Sequence, residues 1–153
     1  MSTNSSNAIT LLEQKLLKLL KEEYSFYQSL YILLDKQRDI IQFDRDDNLL
    51  DIYAEIERCQ KRIRESEAKV TALREQDPRL FRLAAVYPEI RKTVNSILTM
   101  VKKNLLLVEQ NKEYVQNRHR RIKAEMDELK NSRQILQYFA DPEPSPHFID
   151  GKE

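Results

Sequence analysis

Apolar residues return every three or four positions along most of this chain, the spacing of one face of an α-helix. A first row runs Ile9, Leu12, Leu16, Leu19, Phe26, Leu30, Leu33, Ile40, and a second, Leu20, Tyr24, Tyr27, Tyr31, Leu34, Ile41, lies beside it. Projected at roughly 100° per residue, the two rows exceed the ~100° stripe that one neighbour covers, so a helix over about 8–42 is predicted to pack between two partners. The first seven residues are small and polar without period and are predicted to fray. Thr10 and Glu13 are spaced for a capping box, with Asn7 an equally good cap.

"FDRDDN" then supplies a polar turn with Asp44, Asp46 or Asp47 as the next cap. Leu49, Ile52, Ile56, Cys59, Ile63, Ser66, Val70 and Leu73 alternate in steps of three and four, which predicts a second helix over about 47–76. Its other positions are mostly Glu, Lys, Arg and Gln, so it should touch one neighbour through one narrow seam. Asp77-Pro78 ends it, because the residue before proline is pushed out of the helical region. "PRLFRLAAVY" predicts a short helix over about 78–86, and Pro88 suits the first position of the next helix. From there no breaker occurs until Pro142. Ile90, Val94, Ile97, Val101, Val108, Val115, Ile122, Leu129 and Leu136 extend one seam through a helix over about 88–137, on the order of 75 Å long. It is longer than its partners, so part of that seam is expected to stay uncovered. Asn104 and Asn111, one heptad apart on the same side, are placed to fix register between helices. Leu107, with Met100 and Tyr114 to either side, makes a second stripe expected to pack on the first helix or the short one. Pro142, Pro144 and Pro146 favour an extended backbone over 138–153, flanked by Tyr138, Phe139 and Phe148.

The resulting fold class is all-α: an elongated antiparallel bundle of three long helices with a short fourth, residues 1–137 forming one domain and 138–153 an extended or disordered tail.

Composition narrows the function classes. Twenty-six basic against twenty-five acidic side chains leave a net charge of +1, which gives the whole molecule no field to steer it onto nucleic acid or membrane. The basic cluster "RHRRIK" lacks interleaved aromatics to stack bases and is followed by Glu125, Asp127 and Glu128, so it reads as an exposed helix face. One glycine cannot build a phosphate-cradling loop, and His119 and His147 have no carboxylate or cysteine at ligand spacing. Neither an enzyme nor a cofactor is expected. The lone cysteine, Cys59, lies on an apolar seam and reads as a core thiol in a reducing compartment. No signal peptide and no membrane span is read, which points to the cytoplasm.

Three stretches resemble the FlgN-type flagellar export chaperones. "LLEQKLLKLLKEEYSFYQSLYILLDKQRDIIQFDRDDNLLDI" is similar to their leucine-rich first helix and acidic turn, "NLLLVEQNKEYVQNR" to the asparagine-to-tyrosine run of the third helix, and "LQYFADPEPSPHFIDGK" to the tail. Family tails often place glycine soon after the tyrosine, where this chain has Ala140-Asp141-Pro142. The resemblance implies a cytosolic chaperone that binds hook-associated proteins, prevents their early assembly and delivers them to the export gate of the flagellar type III system. It implies no cofactor. Carried over by position, Ile122, Met126, Leu129 and Leu136 would contact the client, and Tyr138 would dock on the gate's cytosolic domain. The alternative from the residues is a coiled-coil adaptor or tether that self-associates through the same seams.

Overall fold

The computed structural model describes residues 2–43 and 45–140, and among these the regular structure is entirely helical. Helix α1 spans Ser2–Gln42, a 3-10 turn covers Asp46–Asn48, and α2 spans Leu49–Gln76; α3 covers Pro78–Ala85 and α4 Pro88–Ala140. The chain divides into two compact units, Met1–Tyr114 and Val115–Glu153.

The first unit is the bundle. Leu30, Leu34 and Ile40 of α1 meet Ile52, Ile56, Cys59 and Ile63 of α2 in one buried cluster, which also takes in Leu107 of α4. Leu16 and Leu20 meet Ile90 and Ile97 of α4 in a second, with Val70, Leu73 and Phe81 packed against it. The end of α1 thus lies by the start of α2, and the start of α1 by its end, so these helices are antiparallel. α4 runs parallel to α1. Up, down, up is the arrangement short connections allow. Leu16 and Ile90 are 1% exposed, and burying side chains of that size is worth about 1.5–3 kcal/mol each.

α2 follows its sequence pattern closely: Ile52, Ile56, Cys59, Ile63 and Ser66 are its buried residues. α1 uses the broad face expected of it, with Leu16, Leu20, Leu30, Leu34, Ile40 and Ile41 buried. α4 departs from the expected seam beyond Ile97. The buried positions there are Asn104, Leu107 and Asn111, whereas Val108 is exposed, as is Val94 before Ile97. The buried row Ile90, Ile97, Asn104 and Asn111 keeps seven-residue spacing throughout, so the side facing α1 is continued by the two asparagines and not by the valines four positions along.

The ends differ from expectation in three places. α1 begins at Ser2, and Thr10 lies inside it, donating its Oγ1 hydrogen to Ser6 O at 2.9 Å, so no capping box forms there. The residue preceding α2 is Asn48, whose side chain makes no cap bond, in place of Asp46 or Asp47; Asp44 lies outside the described residues. The turn is closed by backbone bonds instead, Phe43 N–H to Asp39 O and Arg45 N–H to Ile40 O. α4 continues through Ala140, past the expected end at 137, so Tyr138 and Phe139 stand on its last turn. The prolines of the expected tail, Pro142, Pro144 and Pro146, and Phe148 lie outside the described residues.

Elsewhere the breakers act as read. Asp77 is extended (φ −153°, ψ 87°) before Pro78, and its Oδ1 accepts from Leu80 N–H at 3.1 Å, capping α3. Pro88 opens α4 at a position whose missing N–H costs nothing.

Candidate protein-binding face

Within the second unit every described residue from Val115 to Ala140 is exposed except Arg118, which is half-buried. Its helix is nevertheless amphipathic. At 100° per residue, Val115, Ile122, Met126, Leu129 and Leu136 fall within an arc of about 80°. Their exposures are 43%, 43%, 53%, 70% and 67%, so the stripe is open along its whole length. Exposed apolar residues scattered singly need no account, but five aligned on one helix face are a patch of the kind that marks an interaction site. Ile122, Met126, Leu129 and Leu136, the four positions expected to contact a client, belong to this one stripe. Tyr138 is not on it. Its ring, three-quarters exposed, meets Phe139 edge to face with centroids 6.2 Å apart.

The charges around the stripe are unevenly placed. Arg118 and Arg133 fall inside the same arc, and His119, Lys123 and Lys130 follow along one edge. The other edge carries Glu125, Arg121 and Glu128 in alternation, and Asp127 lies at the back with Arg120. The Arg120 guanidinium donates to Asn117 Oδ1 at 3.1 Å.

The first unit holds the buried polar groups. Asn104 donates to Tyr27 O at 3.2 Å, and Asn111 donates to Leu34 O at 3.1 Å and to Gln37 Oε1 at 2.9 Å. Both reach α1 across the same separation of 77 residues, a whole number of heptads. They fix the parallel pair in register, as the spacing of the two asparagines implied. Along α1, Leu16, Glu23, Leu30 and Gln37 form one buried heptad row. Glu23 Oε1 accepts no hydrogen bond from a described residue. Burial, and then the nearby Glu67, hold its carboxyl above the usual carboxylate range. Tyr27 donates its hydroxyl hydrogen to Glu67 Oε1 at 3.0 Å, and burial with that bond raises its pKa as well. Sequence reasoning missed Glu23 and Gln37, because acidic and amide side chains read as surface. The signal was the heptad that continues from Leu16 through both.

Cys59 is 5% exposed and donates to Phe26 O at 3.2 Å, and burial raises its thiol pKa, which makes it a core residue and a poor nucleophile. Among the described residues no three His, Cys, Asp or Glu side chains gather as a metal site. Among the same residues no helix is long and apolar enough to cross a membrane.

Comparison with protein families, with characterised proteins and with solved structures finds no match.

Proposed function

We propose that this chain is a protein-binding chaperone that covers an amphipathic segment of its client with the open stripe of α4. The observation that carries this reading is the alignment of five exposed apolar side chains, Val115 to Leu136, on one face of a helix. A helix that lays its apolar side into such a stripe removes both from water, and the cost of ordering the client segment offsets part of that gain, which keeps the complex releasable. The resemblance of the first helix, the asparagine-to-tyrosine run and the tail to flagellar export chaperones supplies the finer reading. In it the client is a hook-associated protein, the setting is the cytoplasm, and no reaction is catalysed. Tyr138, exposed at the end of α4 and off the stripe, is free in this reading to meet the export gate while the stripe holds the client.

The test is titration of a purified hook-associated protein onto the chain and onto Leu129→Asp and Met126→Asp variants. Both substitutions are expected to weaken binding at least tenfold with helicity and melting temperature retained, because both residues are more than half exposed. Tyr138→Ala should leave client affinity unchanged and lower affinity for the gate's cytosolic domain. A stripe that instead joins two copies would give a concentration-independent dimer disrupted by Leu129→Asp, which identifies a self-associating adaptor.

A further inference from the structure

The charge pattern around the stripe says what kind of helix fits it. This inference rests on the reading of the stripe as a binding face. Between Val115 and Leu136 there are six Lys or Arg against three Asp or Glu, a net charge of +3 in a chain whose total is +1. Their placement matters more than their number. Projected at 100° per residue, Arg118, Arg133, His119, Lys123 and Lys130 share an arc of about 140° with the five apolar residues, and no carboxylate falls inside it. Glu125 borders the opposite side, while Asp127 and Glu128 face further away. All of these side chains are exposed except the half-buried Arg118.

We propose that the occupant of the stripe is an acidic amphipathic helix of another protein, with its Asp and Glu residues along the edge that meets His119, Lys123 and Lys130. The stripe repeats at heptad spacing over 21 residues, which only a helical partner matches along its whole length. As the two helices close, the ammonium groups of Lys123 and Lys130 come to lie beside the partner's flanking positions. Carboxylates there gain attraction, and lysines or arginines are repelled. A second copy laid antiparallel on the stripe would set the Lys123 and Lys130 edge against its own counterpart, like charge against like. The edge selects among apolar helices that the stripe alone would accept.

The test uses two synthetic helical peptides with the same leucine stripe, one carrying Glu and the other Lys at the flanking positions. Their affinities for the full chain are measured at low and at moderate salt. The Glu peptide is expected to bind about tenfold more tightly, with the difference shrinking as salt screens the flanking pairs. A Lys123→Glu/Lys130→Glu variant, altered only at exposed positions, should narrow or reverse the preference. Leu129→Asp should weaken both peptides. Equal binding of the two peptides, both weakened by Leu129→Asp, overturns the charge inference and leaves the binding face standing. Binding of neither peptide overturns both.

Discussion

Glu23 is the residue least suited to its place, since a carboxylate 8% exposed, near Glu67 and without a donor on Oε1, is a net cost when ionised. In the unfolded chain this group titrates near its ordinary value of 4.5; in the folded chain its pKa is higher. Below 4.5 the proton is bound in both states and Glu23 contributes its full share of stability. That share is lost as pH rises through the folded value, because the folded state must then bury a charge. Glu23→Gln is therefore expected to stabilise the protein at pH 7, on the order of 1 kcal/mol. Thermal melts at pH 7 and pH 4 check this, and a gain that persists unchanged at pH 4 would point to packing in place of ionisation. Tyr27 and Glu67, which face Glu23, form their own hydrogen bond and are left intact by the substitution.

At the scale of elements, the pairing of α1 with α4 depends on two side chains. Replacing Asn111 by alanine removes the donor to both Leu34 O and Gln37 Oε1, and leaves a buried amide and a carbonyl without it. A loss of about 2–3 kcal/mol is expected, read as a drop in denaturation midpoint at unchanged slope. Most of the elements could be read from the chain, and the reasons differ. α2 was legible because its buried positions, from Ile52 to Ser66, fall on one narrow seam, although that seam meets α3 and Leu107 of α4 as well as α1 and not the single neighbour expected. Asp77-Pro78 and Pro88 were legible because proline acts locally, whatever the rest of the fold does. The seam of α4 was not, because its buried positions after Ile97 include Asn104 and Asn111, and a row of valines next to them carries the stronger apolar signal. The start of α1 was also missed, since small polar residues such as Ser5 and Ser6 have modest helix propensity and no periodicity.

For the whole molecule, the division after Tyr114 separates the unit that holds the buried clusters from one whose described residues are almost all exposed. The last buried residue of α4 is Asn111, and no residue beyond it contributes to either buried cluster. A chain ending at Tyr114 is therefore expected to keep a cooperative melt within a few degrees of the full protein while losing client affinity. Circular dichroism melts and the client titration measure the two separately, and loss of cooperative unfolding would show that the distal helix supports the core. The exposed stripe was legible as residue types, since Ile122, Met126, Leu129 and Leu136 stand out at helical spacing. That part of the seam stays uncovered was expected from the helix lengths, whereas which residues are left exposed is an outcome of packing and is seen only in the exposure of Val115 to Leu136.

The constant separation of 77 residues between the asparagines and their α1 carbonyls also has a meaning for time. Contacts between α1 and α2 close short loops, whereas those of Asn104 and Asn111 bridge two intervening helices and carry the larger closure entropy. The α1–α2 hairpin is thus expected to form first, and the asparagines to engage only once α4 docks in register. The Asn111→Ala loss should accordingly accelerate unfolding and leave the folding rate nearly unchanged.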